Sequence, residues 1–376
     1  MAAAESGEAT GLDPVTEDFS AFIIAGAVSA DPGKFERETE GRTPAQGIQD
    51  GVDAEQLGFR RVFISERWDI KQADVILAGI AARTTRLEVA TGIIVPTTRH
   101  PWNVASLGAT MQSCFGPRFV LGLGRGDAGA FKGMGIPTTK TRALVESARI
   151  TRRLWAGETV SYHGQLGSFD ALTCHETYPG PQPPIWIAGY CHEMGAAAAA
   201  EAFDGVILPP MITPDATAAA VGRIRTACEK IDRDPASIRI VVPVVTAPDM
   251  DDVETRSIST GRLVTYLQYA YYGDILANTN GWDLDIVREL RAHPMITNAP
   301  RSADLTYHRH EMIDGPGSVI PWSWILDCSA IGSADECATS LQRFIDAGAD
   351  EVTTYGSTPR QNAKLIDAWR RRPAAH

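Results

Sequence analysis

Residues 87–126 read LEVATGIIVPTTRHPWNVASLGATMQSCFGPRFVLGLGRG. Two short apolar runs stand in this stretch, Leu87-Glu88-Val89-Ala90-Thr91-Gly92-Ile93-Ile94 and Arg118-Phe119-Val120-Leu121-Gly122-Leu123. A helix from about Trp102 to Cys114 is expected between them. Strand, helix and strand in this order imply two parallel neighbours in one sheet, with the helix covering a face.

The same alternation extends in both directions. Upstream, Phe22–Val28 and Arg61–Ser65 read as strands, and helices are expected over 43–58 and 73–82. Thr43-Pro44 gives the first helix its start, with proline just inside, and Gly58 suits its end. Downstream, strands are expected at 184–189, 204–208, 238–245 and 351–355, with helices over 139–155, 190–202, 214–230, 333–347 and 360–369. Residues 159–172 read as a short hairpin. Eight apolar strands, each followed by a helix, imply an α/β fold of the closed (β/α)8 TIM-barrel type. The expected organisation is a loose tail over 1–18 and one domain over 19–376, with an aromatic-rich insertion over about 249–330. That insertion, between the seventh strand and the last βα unit, sits either over one mouth of the barrel or against its outer helices.

The chain has 376 residues, ample for a large core, and 22% charged residues, a globular proportion. Its net charge of −11 argues against general nucleic-acid binding. The six cysteines form no C-x-x-C pair, which suits a reducing cytosol, and the cytoplasm is the expected location. The N-terminus MAAAESGEAT has no signal-peptide character, and no apolar stretch approaches a membrane span. His308 and His310 lack a partner pair, so no metal site is expected.

In such barrels the chemistry sits on the loops at the C-terminal ends of the strands. Glu66 and Arg67 close the second strand. A carboxylate there serves as acid or base if burial raises its pKa, or is one half of an ion pair between strand ends. Gly122-Leu123-Gly124-Arg125-Gly126 is a weak match to a phosphate loop. It fits either a close approach of backbone to a flat ligand, with Asp127 pointing towards it, or a plain turn. Ala188-Gly189, ahead of an alanine-rich helix, offers either a phosphate site on free amides or a helix start without a ligand.

Three segments resemble the bacterial-luciferase-like flavin and deazaflavin oxidoreductases. They are Gly58 to Arg67, then Thr91 to Pro96 running through Arg99-His100-Pro101 to Gly126, and Pro184-Ile185-Trp186-Ile187-Ala188-Gly189 followed by Asp204-Gly205. The resemblance covers about 20–248 and 331–370. It implies a barrel that binds coenzyme F420 or, alternatively, FMN, and a homodimer. It also implies a non-prolyl cis peptide at Gly92–Ile93 that props the cofactor ring. Thr91, Gly92, Ile93, Arg125, Gly126, Ala188, Gly189 and Tyr190 match cofactor-lining positions, with Gly189 and Tyr190 as backbone donors to its phosphate. Asp127 stands where related enzymes place a proton donor. Relatives usually carry a histidine where this chain has Arg67, and an arginine is no neutral base at pH 7. Therefore either Glu66 or Asp127 handles the proton, or Arg67 and Lys71 hold an anionic part of cofactor or substrate.

The function expected is an F420-dependent oxidoreductase. It moves a hydride between the deazaflavin and a carbonyl, alcohol or activated alkene, on a small-molecule substrate that is bulky or apolar. The second expectation is an FMNH2-dependent monooxygenase served by a separate reductase, and the third a non-enzymatic flavin-binding barrel.

Overall fold

Eight parallel strands close on themselves in the computed structural model, which describes residues 12–25, 42–67, 71–126, 128–299 and 302–372. In chain order the strands are β1 (Phe19–Phe22), β2 (Arg61–Ile64), β3 (Glu88–Thr91), β4 (Phe119–Leu123), β5 (Val160–Gly164), β6 (Gly167–Leu172), β7 (Ile185–Ala188), β8 (Gly205–Ile207), β9 (Arg239–Pro248), β10 (Ser329–Gly332) and β11 (Glu351–Tyr355). The barrel runs β9-β11-β1-β2-β3-β4-β7-β8 and closes through β8 on β9. The antiparallel β5–β6 hairpin stands apart from it, as expected for 159–172. The closed (β/α)8 architecture anticipated from the alternation is therefore present.

One layer of the barrel interior draws on nearly every strand. Phe22, Phe63, Ala90, Val120, Trp186, Ile207 and Val241 form one buried cluster, with Tyr355 packed against it. Fully burying such side chains stabilises the fold by about 1.5–3 kcal/mol each for the larger ones. A second, larger apolar layer lies between the strands and the surrounding helices. The helix Pro44–Gln56 starts with a capping box between Thr43 and Gln46, and Ala334–Asp346 with one between Ser333 and Glu336. Each satisfies two amides that would otherwise lack partners.

The N-terminal end of the barrel carries a buried ionic network. Glu351 is fully buried, accepts from Ser20, and pairs with Arg239 at 2.6 Å and Arg61 at 3.2 Å. Arg61 also pairs with Glu88 and lies 4.6 Å from the centre of the Trp186 ring. Charges at this depth hold only because each finds a partner.

Two expectations need correction. The first strand, expected at 22–28, is Phe19–Phe22. Its register is set by the Glu351 contact from Ser20, a polar residue that interrupts the hydrophobic run. Ile23 still donates its amide to Phe63 at 2.9 Å, and Gly26–Val28 lie outside the described residues. Inside the 249–330 segment, Ser329–Gly332 is β10, paired with the end of β9, which runs on to Pro248. Within the segment expected to be a loose tail, the amides of Asp13 and Thr16 donate to Gln56 and Gly58, and Asp18 accepts from Trp369.

The rest of the insertion is helical. Asp252–Leu267 packs on the helix Ala270–Asn280 and on β9, and Trp282 stacks on Trp324 with ring centres 4.7 Å apart. Among the described residues no helix is long and apolar enough to cross a membrane.

Candidate active site

At the end of β3 the chain leaves the sheet through a cis peptide between Gly92 and Ile93. The bend is clamped on both sides. Gly92 donates its amide to Ile64 at 2.7 Å, and Ile94 donates to Gly122 at 3.0 Å. The Thr91 hydroxyl accepts from the Gly122 amide at 2.7 Å and donates to its carbonyl at 2.9 Å. Thr91 is fully buried, so its part is to lock β3 to β4 beneath the mouth. Ile93 is left half-buried, packed on the interior cluster. A Cβ on Gly124 would come within 2.7 Å of the Ile93 side chain, and one on Gly92 within 3.0 Å of the Phe22 ring. The glycines keep this ledge low and flat, which suits the plane of a fused-ring cofactor.

The same bend fixes Glu66, whose amide donates to the Ile93 carbonyl at 3.1 Å. Its carboxylate accepts from Arg99, which also reaches Gln72 at 3.0 Å and Asp74 at 3.4 Å. Burial pushes the Glu66 carboxyl above its ordinary range, Asp74 adds to that, and Arg99 opposes it. Both roles read from the sequence thus coexist: Glu66 is half of an ion pair and a buried carboxyl with a raised pKa. Arg99 stood in the quoted motif, but no spacing rule ties it to Glu66, 33 residues away.

Arg67 and Lys71 pair through their backbones, and the Lys71 ammonium donates to the Ala25 carbonyl, just past β1. Burial, then the charges of Arg67 and Arg262, pull the Lys71 pKa down to about 7. Arg262 belongs to the insertion helix and lies 4.8 Å from the centre of the Tyr355 ring.

On the β4 side, Arg125 and Gly126 are exposed. Gly126 takes φ +66°, and a Cβ there would meet Phe131 at 2.5 Å, so this bend needs glycine. Asp127 lies outside the described residues.

Beyond β7, Ala188 and Gly189 are half-buried, and nothing lies within 4 Å of a Cβ built on Gly189. The expectation that Gly189 supplies an amide to a phosphate needs correction, because its N–H donates to Ile207 at 3.1 Å. What Gly189 contributes is open space. Cys191 turns the chain with φ +49°, and Arg223 anchors the turn by donating to the Cys191 carbonyl at 2.8 Å. No side chain caps the following helix, Glu193–Ala202. An anion at this start would meet the helix dipole and Arg223 but also Glu193.

A row of tyrosines crosses the mouth. Tyr355, at the end of β11, meets Phe22 edge-on at 5.1 Å between ring centres, and its hydroxyl lies 2.6 Å from that of Tyr266. Tyr266 packs on Tyr272, and Tyr272 on Tyr190, each at 5.6 Å. Burial raises the pKa of Tyr266 and Tyr272 well above the ordinary value, so both stay protonated. The insertion therefore roofs the barrel mouth, the first of its two expected placements. Sequence reading singled out its aromatics as a group but missed Tyr355 and Arg262, whose importance arises only from contacts across the mouth.

Among the described residues no group of three or more His, Cys, Asp or Glu could hold a metal ion. His308 and His310 stack on each other at 5.4 Å.

The luciferase-like monooxygenase family model matches residues 28–351. The 5,10-methylenetetrahydromethanopterin reductase of Methanolobus tindarius is 25% identical over 320 residues, 83% of this chain and 91% of the reductase. The F420-dependent glucose-6-phosphate dehydrogenase of Microbacterium testaceum is 32% identical over 166 residues, and that match spans 41% of this chain and 49% of the dehydrogenase. In three dimensions the chain is similar to the coenzyme F420 dependent tetrahydromethanopterin reductase of Methanopyrus kandleri. The TM-score is 0.71 at 20% identity, covering 87% of this chain and 94% of the reductase.

Proposed function

This chain belongs to the luciferase-like monooxygenase family, and from that premise we propose that it is an oxidoreductase that works with coenzyme F420. The observation that carries the reading is the ledge of Gly92, Ile93 and Gly124, with Glu66 hydrogen-bonded to the same bend. Relatives named for F420 dependence support the choice of cofactor. When bound, the deazaflavin would supply hydride transfer to or from a carbonyl, alcohol or activated alkene.

The chain's own residues supply position and proton handling. Ile93 and the glycines around it support the ring, with Ala188 and Gly189 leaving room beyond β7. Glu66, with its raised pKa, holds or accepts the proton that accompanies the hydride, and Arg99 fixes its orientation. Asp127 is the alternative proton donor that the resemblance implies. The tyrosine roof excludes water and favours a bulky, apolar substrate.

Titration of the purified protein with F420 and with FMN, each oxidised and reduced, tests this reading. Micromolar or tighter binding of F420 with feeble FMN binding is the expected result. Preference for reduced FMN, with oxygen uptake, would instead establish the monooxygenase reading that the family's own description favours. Tight cofactor binding with no turnover of any carbonyl, alcohol or alkene would leave a flavin-binding barrel.

A further inference from the structure

Three cationic side chains, Arg67, Lys71 and Arg262, gather at one side of the mouth. Arg67 and Lys71 flank the loop after β2, and Arg262 reaches over from the insertion helix. Their position is set by contacts with β1 and β11. The Lys71 ammonium is bonded to Ala25 just past β1, and the Arg262 guanidinium lies over Tyr355, which rests edge-on against Phe22 at the end of β1. Among the described residues neither Lys71 nor Arg262 has a carboxylate partner, and the Arg262 Nε is buried without a hydrogen bond. In this Arg262 differs from four other inward arginines. Arg61, Arg99, Arg239 and Arg291 each meet an acid. Bringing like charges together at a partly desolvated place costs free energy unless an anion joins them.

We propose that Lys71 and Arg262 form a subsite for an oxyanion, a carboxylate or phosphate group, carried by the substrate. The inference rests on the oxidoreductase reading of this mouth and names the class of substrate it takes: an apolar body with one anionic end. The barrel order separates this subsite from the turn after β7, where the resemblance places the cofactor's phosphate. β1 lies four strands from β7 in either direction around the closed barrel, so the cations face across the mouth from Gly189 and Tyr190. The tyrosine row spans the gap between the two sides. A substrate lying under that row would place its apolar body against Tyr266, Tyr272 and Tyr355 and its oxyanion against the cations. Arg262 adds a fork of donors that fits a planar carboxylate in two-point contact.

The test is calorimetric titration of the cofactor-free full-length protein with inorganic phosphate and with benzoate, on wild type, Arg262→Gln and Lys71→Met. Circular dichroism first establishes that the variants are folded. Wild type is expected to bind at least one of the probes, and each variant to lose about tenfold or more in affinity, the equivalent of about 1.4 kcal/mol. F420 is then titrated into wild type with and without saturating probe, and into Arg262→Gln. Undiminished F420 affinity in both experiments assigns the subsite to the substrate. Competition between probe and F420, with weaker F420 binding in Arg262→Gln, would give the subsite to the cofactor's own anionic arm and overturn the proposal. Absence of probe binding, or equal binding in wild type and variants, would overturn it as well. Probe binding that depends on Arg262 in a protein that binds no F420 would overturn the cofactor reading and leave the oxyanion site standing.

Discussion

The Arg99 guanidinium donates to the Glu66 carboxylate across the mouth between the loops after β2 and β3. It opposes the burial that raises the Glu66 pKa, so the two effects set the pH at which this carboxyl can take a proton. An opposite charge at such range lowers a carboxyl pKa by about 1–3 units. Arg99→Gln should therefore move the acidic limb of the kcat/KM–pH profile to higher pH by about 1–3 units, since Glu66 then stays protonated further up the scale. Glu66→Gln should remove that limb and lower kcat by about 10²–10⁴. Steady-state rates over a pH series check both. An unmoved limb in Arg99→Gln would take Glu66 out of proton transfer.

Oxyanion affinity should fall as pH rises through about 7, where Lys71 loses its charge. The groups facing Lys71 are Arg67 in its own loop and Arg262 from the insertion helix. A group with a lowered pKa is charged only below it, so the subsite holds the Lys71 charge in mildly acidic solution and loses it in alkaline solution. Calorimetry with benzoate at two pH values on either side of neutrality should show the decline, and Lys71→Met should flatten it.

The two glycines at the end of β4 should respond differently to alanine. At Gly122 the new Cβ would lie 2.0 Å from the Thr91 carbonyl oxygen, which is backbone and cannot step aside. At Gly124 it would meet the tip of Ile93, a side chain that can rotate away. Gly122→Ala should cost about 3 kcal/mol in urea unfolding, at the upper end of overpacking penalties, and Gly124→Ala clearly less. Gly124→Ala should instead weaken F420 binding, because the displaced Ile93 disturbs the ledge.

Glu351→Ala should destabilise the protein by about 3–5 kcal/mol without touching the mouth, since it takes from Arg239 its acid and leaves Arg61 with Glu88 alone, at the opposite end of the barrel. Urea unfolding and F420 titration on the same variant separate the two effects. A large loss of stability with unchanged cofactor affinity is expected.

The barrel was legible because its strands are short apolar runs, each followed by a helix, the first of them opened by a start signal at Thr43-Pro44. The errors have local causes. Ser20 sits inside β1, and a polar residue in a buried strand breaks the pattern unless its partner, Glu351, is known. β10 is four residues long and follows directly on the helix Trp322–Cys328, too brief for a period to show. In the site, Glu66 and the Gly92–Ile93 bend could be read because each lies in a contiguous segment that carries the family resemblance. The pairing of Tyr266 with Tyr355 and the approach of Arg262 to Lys71 join segments far apart in sequence, and residue types alone do not reveal such encounters.

The roof has a consequence for how such an enzyme changes over evolutionary time. Tyr266, Tyr272 and Arg262 all come from one continuous stretch between β9 and β10, whereas the ledge and Glu66 belong to β2, β3, β4 and the loops that follow them. Most of the roof is thus written in one passage of the gene, while the ledge, Glu66, Lys71 and Tyr355 are written in others. Exchange of that one passage would replace Tyr266, Tyr272 and Arg262 while leaving the ledge and Glu66 in place, and a laboratory graft could follow the same seam.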